Sequence, residues 1–369
     1  MSKSIIIIGA GIAGLSAGCY GRMNGYHTHI FEQHDKPGGL CTAWKRKDYT
    51  IDGCIHWLVG SNPNSDFNRL WRELGALRGM EIVDHEVFIR FEGTDGRSFD
   101  LYTDVDRLER HMKELAPADV AAIEDLTGTI RSISRARMPL AKPREISTPL
   151  DGLRMLPRML PLVRPLLKWR KTPLAAFAER FTDPLLYEAF TRLFGLPDFP
   201  LLGFTFTMAW LNNRDAGYPV GGSLEFSRNI ERRYLDLGGE ITYKARVDRI
   251  LVEKGRAAGV RLEDGSEHRA DVVISAADGH ATIFDMLQGK YLDTKTRERY
   301  DSMPIFEPLV QIALGVAAEL PCEPQTVDFP LPSPLEIAGK RHDRIQVVNH
   351  RFDPTQMPRG KTEIGRAHV

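Results

Sequence analysis

Ile5-Ile6-Ile7-Ile8-Gly9-Ala10-Gly11-Ile12-Ala13-Gly14 opens the chain, and the acid that completes its pattern is Glu32. The four isoleucines have the length and composition of a buried parallel strand, and from Ile12 the pattern turns helical, so the glycines fall at a strand-to-helix turn. Gly9 allows the tight turn, Gly11 lets backbone come close to a phosphate, and Gly14 lets the helix pack on the strand. The helix N-terminus adds free N–H groups and the positive end of a dipole. A helix, a turn at Asn24-Gly25 and a second strand from His27 to Phe31 fill the interval up to Glu32, which is placed to accept hydrogen bonds from a ribose. The order predicts a βαβ dinucleotide site. An acid at this position repels a 2′-phosphate, which argues against NADP.

The next stretch, Glu32-Gln33-His34-Asp35-Lys36-Pro37-Gly38-Gly39-Leu40-Cys41-Thr42, carries a Gly-Gly pair that lets backbone approach a large ligand, and a strand from Tyr49 to Trp57 is expected to pass beside it. A second block lies far along the chain. Tyr218-Pro219-Val220-Gly221-Gly222-Ser223 precedes a helix with Phe226, Ile230, Tyr234 and Leu237 on one side, closed by Gly238-Gly239. Strands follow at Val247 to Val252 and Ala258 to Leu262, then a hairpin turn at Asp264-Gly265, then Ala270 to Asp278 as a buried strand running into a loop.

The Glu-then-Gly-Gly stretch, with Asp52-Gly53-Cys54-Ile55-His56-Trp57 after it, resembles the flavin-dependent amine oxidase and phytoene desaturase superfamily. Its wording is closest to the branch of phytoene desaturases, carotenoid isomerases and retinol saturases. The block from Tyr218 to Asp278 resembles the part of that family that returns to the flavin domain. The resemblance implies an α/β chain with a discontinuous Rossmann-like FAD-binding domain and an inserted α+β substrate or lid domain. It implies FAD as cofactor, contacted by Gly9, Gly11, Ala13, Gly14, Glu32, Gln33, Gly38, Gly39 and Leu40, with the backbone of Val247 meeting the adenine and Ala276 and Ala277 near the cofactor. Many relatives carry arginine after the Gly-Gly pair where this chain has Leu40, which weakens any inference toward amine oxidation. The implied reaction is addition or removal of hydrogen at carbon–carbon bonds of an apolar polyene or isoprenoid: desaturation, saturation or isomerisation. The alternatives are an amine or protoporphyrinogen oxidase-like flavoenzyme and a non-enzymatic prenyl-lipid binder of the Rab GDP-dissociation-inhibitor type.

Composition sets the bounds. At 369 residues and 42% hydrophobic content the chain can hold two domains, and a formal net charge of zero gives no global reason to expect nucleic acid. Cys19, Cys41, Cys54 and Cys322 form no CxxC pair and no zinc-spaced cluster, so neither a disulfide framework nor a metal is expected. Cys41 reads as a small buried residue in preference to a redox thiol. The N-terminus enters the first strand almost at once and no run approaches the ~20 apolar residues of a membrane span, so a cytoplasmic protein is the expectation.

Between the two blocks, Val87 to Phe91 and Arg97 to Tyr102 read as a hairpin around Asp95-Gly96, and Asp104 caps a helical region that continues past Ile133. From Arg131 to Lys171 the only acids are Glu145 and Asp151, while leucines, methionines and Trp169 interleave with prolines and arginines. Such a stretch suits peripheral contact with an anionic membrane surface, or else a lid helix packed on the substrate domain; Pro157, Pro161 and Pro165 argue against one clean amphipathic helix. His56 is the one candidate for a catalytic side chain, since on a strand it shares a face with Asp52 and Cys54, although a lone histidine is more often a satisfied structural residue. Arg214, Asp215 and Tyr218 are similarly open. The expected organisation is a flavin domain at 1–78 and 216–292, a substrate or lid domain at 79–215 and 293–363, and a non-native tail at 364–369. Ile364 to Val369 is also the translation of a common sequencing-adapter read, and the resembled family continues into a further Gly-rich segment, so the chain is expected to be C-terminally truncated.

Overall fold

The computed structural model describes residues 3–136, 144–193, 198–305, 311–337 and 339–368. Ser4–Ile8 is the hub of a four-stranded parallel sheet, with His27–Phe31 on one side, Val272–Ser275 on the other and Glu240–Thr242 beyond His27–Phe31. Ile5 to Ile8 are all buried, as a strand covered on both faces requires. Helix Ile12–Met23 packs against helix Gly222–Asp236 on one face of this sheet, and small residues set the distance: a Cβ at Gly18 would meet the Tyr234 ring at 2.7 Å. The Tyr234 hydroxyl then donates to the Thr28 carbonyl at 2.8 Å and accepts from the Glu240 N–H at 3.2 Å, tying two strands together. Val247–Glu253, Arg256–Leu262 and Glu267–Arg269 form an antiparallel sheet whose inner side chains pack on Phe31.

A six-stranded sheet runs in the order Leu314–Val316, Thr362–His368, Lys340–Asn349, Thr326–Ile337, Val87–Glu92 and Ser98–Tyr102. Its hairpin end packs with the helices between residues 105 and 212 in one apolar core. Asp104 caps the first of these, Val105–Leu115, by accepting from the Asp106 and Arg107 N–H groups.

Three local expectations change. The strand that starts at Tyr49 ends at Asp52 instead of running to Trp57. The Asp52 carboxylate turns the chain by accepting from the Cys54 N–H at 2.9 Å, and the Ile55 N–H is drawn to the Ser223 hydroxyl at 2.8 Å. Asp52, Cys54 and His56 therefore do not share a strand face. The strand near the second block is shorter, Val272–Ser275, and partly exposed, because it is the edge of its sheet and pairs with Ser4–Ile8 alone. Residues Pro149–Trp169 form one 21-residue helix in spite of three internal prolines. A Thr148–Asp151 capping box starts it, and the prolines recur every fourth residue, so each lost N–H faces the carbonyl of the residue four before it. The Pro161 carbonyl, left without a donor by Pro165, accepts the Ser132 hydroxyl at 2.8 Å instead.

Candidate dinucleotide site

At the C-terminal ends of Ser4–Ile8 and His27–Phe31 the two glycine loops meet. Gly9 adopts φ +98° and donates to the Phe31 carbonyl at 2.8 Å. A Cβ on Gly14 would lie 2.0 Å from the Gly9 oxygen, so helix and loop approach as only glycine permits. Gly11 begins the helix without any side-chain cap, which leaves the N–H groups of Ile12, Ala13 and Gly14 outside the helical ladder and directed at the loop. Gly38, at φ +114°, donates to the Ala10 carbonyl at 2.9 Å, and a Cβ on Gly39 would stand 3.3 Å from the Gly11 Cα. The Gly-Gly loop thus lies directly on the first one. Around Gly11 the nearest atom a Cβ would meet is the Gly38 oxygen at 3.9 Å, so this backbone-lined groove is open. Its donors and its lack of side chains fit a pyrophosphate.

Glu32 is buried, and its oxygens accept the Ala10 N–H at 2.6 Å and the His34 N–H at 2.8 Å. A carboxylate offers about four acceptor positions, so two remain for hydroxyl groups. The segment ahead of Val247 is stitched to the same place, with the Ala245 N–H on the Glu32 carbonyl at 2.8 Å and the Lys244 N–H on the His34 carbonyl at 2.9 Å. Val247 itself is buried in the apolar cluster with Ile8 and Phe31. Ala276 donates to the Ile8 carbonyl at 2.9 Å, and its oxygen stands 3.4 Å from the point a Gly9 Cβ would occupy, with the Ala277 nitrogen at 3.7 Å. The two sequence blocks therefore converge on one groove. Gln33 and Leu40 lie exposed at its margin. His56 sits half-buried between Ile55, tied to Ser223, and Trp57, which packs edge-on against Phe88 at 5.3 Å.

Two buried polar networks beneath the groove escaped the sequence reading. Asp52 accepts the Ser223 N–H at 2.5 Å and the Ser223 hydroxyl at 2.7 Å, and Ser227 donates to the Cys41 carbonyl at 2.6 Å, which anchors the Gly-Gly loop from below. A hydrogen bond with Cys54, together with burial, raises the Cys41 thiol far above its ordinary range and leaves it protonated. Asp353, fully buried, accepts the Tyr218 hydroxyl at 3.0 Å and the Gly221 N–H at 2.9 Å, and Gln356 donates to Tyr218. Burial first, then the charges of Asp353 and Asp52, push the Tyr218 hydroxyl well above the usual phenol range, so it serves as a donor throughout the working pH range. Asp52, Ser223 and Tyr218 were each visible as residues; the pairing of Asp52 with Ser223 across 171 positions, and of Tyr218 with Asp353 across 135, was not.

The parallel sheet, the glycine turn and the acid at the end of the second strand define a Rossmann-like dinucleotide-binding fold. A sequence model described as an NAD(P)-binding Rossmann-like domain matches residues 7–74. Across more of the chain, similarity runs to a chloroplastic prolycopene isomerase of Arabidopsis thaliana, 26% identical over 85% of this chain and 54% of the relative. A lycopene-forming phytoene desaturase of Pseudescherichia vulneris is 28% identical over 75% of this chain and 56% of its own length. An inactive all-trans-retinol 13,14-reductase of Danio rerio is 28% identical over 77% of this chain and 48% of its own. The chain is thus carotenoid-desaturase-like in sequence, and it spans about half the length of the curated relatives it matches. In fold it is similar to the PF1083 protein of Pyrococcus furiosus, with a TM-score of 0.66 at 19% identity over 99% of this chain and 79% of that one. A redesigned putrescine oxidase gives 0.59 at 13% identity over 100% of this chain and 76% of its own.

Proposed function

We propose that the chain binds FAD and belongs to an oxidoreductase that adds, removes or relocates hydrogen at carbon–carbon bonds of an apolar polyene or isoprenoid. The observation that carries this reading is the stacking of the Gly38-Gly39 loop on Gly11, which lengthens the dinucleotide groove beyond what a single glycine turn offers. The names of the relatives supply the substrate class. We assign 1–78 and 216–292 to the cofactor domain and 79–215 with 293–363 to the substrate domain.

When bound, the flavin supplies hydride or electron transfer, and the protein supplies binding and orientation. The free N–H groups at the start of helix Ile12–Met23 hold the pyrophosphate, and Glu32 accepts the adenosine ribose hydroxyls. Asp52 and Ser223 fix the Gly-Gly loop, and Asp353 fixes the Gly221-Gly222 turn, so the groove is rigid before the cofactor enters. No side chain is assigned to proton transfer; His56 remains a candidate to be tested by substitution.

Helix Pro149–Trp169 gives the region 131–171 its role in this account. Leu153, Leu156, Leu160, Val163 and Leu167 lie on one helical face, 47% to 74% exposed, opposite the buried Leu162, Pro165 and Trp169. Arg164 and Arg170 flank this face and make no ion pair among the described residues, which leaves them for anionic headgroups, whereas Arg154 and Arg158 lie toward the opposite side of the helix. Among the described residues no helix is long and apolar enough to cross a membrane. The reading is therefore in-plane contact with a membrane surface by this face.

The reaction is tested by incubating the FAD-loaded chain with phytoene, lycopene or retinol and following the polyene absorption. A shift in the number of conjugated double bonds, dependent on FAD, supports the assignment. Peroxide release from amines in place of any polyene change would replace it with the amine-oxidase reading.

A further inference from the structure

Cys41 closes the Gly-Gly loop, and Cys54 lies in the turn that follows Tyr49–Asp52. One hairpin runs between them. Ala43–Arg46 pairs antiparallel with Tyr49–Asp52, and its last rung sets Ala43 opposite Asp52. Two residues further along each strand, the same register sets Cys41 opposite Cys54, on the face of the buried Ala43 and Asp52 side chains. The ladder stops before them, yet the two thiols stay in hydrogen-bond contact, and both pack in the apolar cluster with Leu15 and Phe226. Facing residues of an antiparallel pair stand about 4.5–5.5 Å apart at Cα, inside the range of about 4.4–6.8 Å that a disulfide accepts. Side-chain rotation, with little movement of the strands, brings such sulfurs to bonding distance.

The two thiols differ. Cys41 is buried and holds its proton, whereas Cys54 is half-buried and is the one an oxidant reaches. The Cys41 S–H also donates to the Ser223 carbonyl at 3.6 Å, but that carbonyl keeps the Ser227 hydroxyl at 2.9 Å once the thiol hydrogen is gone. Oxidation therefore leaves no buried acceptor without a donor. The Cys41 carbonyl is held by Ser227 and the neighbour of Cys54, Ile55, by Ser223, so a bond between the sulfurs joins two segments that helix Gly222–Asp236 already holds side by side. The sequence marks Cys41 only as a small buried residue; the partner that makes it more than that comes from the far side of the hairpin.

We propose that Cys41 and Cys54 are a redox pair, and that an oxidant of the peroxide class joins them in a disulfide that clamps the Gly38-Gly39 loop to the turn after Tyr49–Asp52. The Cys54 sulfur attacks the peroxide: an S–O bond forms, the O–O bond breaks, and the departing hydroxide takes the thiol proton as water. The Cys41 sulfur then attacks the Cys54 sulfenic acid: the S–S bond forms, the S–O bond breaks, and the departing hydroxide takes the Cys41 proton as a second water. Two thiols are oxidised and one peroxide is reduced to two waters. The bond stiffens one wall of the dinucleotide groove. The assignment goes beyond the flavin reading and needs no bound cofactor.

The test treats the full chain with hydrogen peroxide, alkylates the remaining thiols and digests with trypsin in the absence of reductant. Lys45, Arg46 and Lys47 lie between the two cysteines, so the expected product is a pair of linked tryptic peptides, two hydrogens lighter than their sum, that dithiothreitol separates. Amide exchange across residues 38–55 should slow by about tenfold or more on oxidation and recover on reduction, since the cross-link removes open states of the loop it closes. Cys54→Ser should lose both responses. Cys41→Ser should stop at a sulfenic acid on Cys54, which dimedone traps. Failure of the linked pair to form, links from either cysteine to Cys19 or Cys322 in its place, or exchange that the link leaves unchanged overturns the proposal. So does a slowing of exchange by peroxide that survives in Cys54→Ser, or a folded Cys41→Ser protein whose Cys54 takes no dimedone. No flavin enters the test, so a chain that fails here and still binds FAD refutes only the redox pair, and the reverse result refutes only the flavin reading.

Discussion

At the scale of single residues the cradle depends on atoms that are absent. Gly14→Ala places a methyl 2.0 Å from the Gly9 oxygen, a backbone atom that cannot turn aside. Helix Ile12–Met23 must then lift from the loop, at a cost of about 2–3 kcal/mol typical of overpacking. Urea denaturation should show that loss together with at least tenfold weaker dinucleotide binding; an unchanged midpoint would mean the helix does not rest on the loop as described. Gly9, Gly11, Gly14 and Glu32 were legible in the sequence because a turn and a strand end are local, and chain order alone places them. Asp353 was not, since nothing near it in sequence announces that its carboxylate will cap a turn 132 residues earlier. The strand running to Trp57 misread for the same reason: Ser223, from the far block, ends it through Asp52 and Ile55.

At the scale of elements, a helix pair and a third helix make opposite uses of charge. Helices Val105–Leu115 and Val120–Ser134 are joined through Glu109, which meets Lys113 and Arg131 at 2.6 Å each and accepts the Thr127 hydroxyl. Burial alone would raise its carboxyl, but these partners outweigh burial and hold it down to about 2, against 4.5 for a free glutamate. A depressed folded-state value means stability that is present above pH 4.5 and lost as the pH falls through about 2. Glu109→Gln should therefore lower stability by on the order of 1–3 kcal/mol at neutral pH and flatten the acid limb of the pH–stability curve; an acid limb identical to that of the parent would refute the pairing. Helix Pro149–Trp169 instead keeps Arg164 and Arg170 unpaired among the described residues at the edges of an apolar face. Burying five such half-exposed side chains contributes on the order of 5 kcal/mol, before the attraction of anionic lipid is added. The chain should sediment with vesicles rich in phosphatidylserine and stay in solution with phosphatidylcholine alone, and Leu156→Asp with Leu160→Asp should abolish the difference. Sedimentation unaffected by those changes would point to the lid reading. The prolines hid this helix in the sequence, because the Ser132 hydroxyl that satisfies the Pro161 carbonyl comes from a separate helix.

At the scale of the whole molecule, two segments separated by about two hundred residues build one groove, and strands 27–31 and 240–242 lie side by side because Tyr234 and the glycine-spaced helix contact draw them there. Local patterns announced each half; that they form one site rested on the resemblance to a known family, and the backbone contacts at Gly9, Glu32, Ala245 and Ala276 give it a physical form. The most direct measurement is a titration of the purified chain with FAD, NAD and NADP, followed by visible absorbance and by calorimetry. The account predicts saturable FAD binding with perturbed flavin bands, at least tenfold tighter than NAD, with NADP weaker still because Glu32 repels its 2′-phosphate, and loss of FAD binding in Gly39→Val. Tighter binding of NAD than of FAD, or FAD binding that survives Gly39→Val, would contradict the stacked-loop cradle on which the functional reading stands.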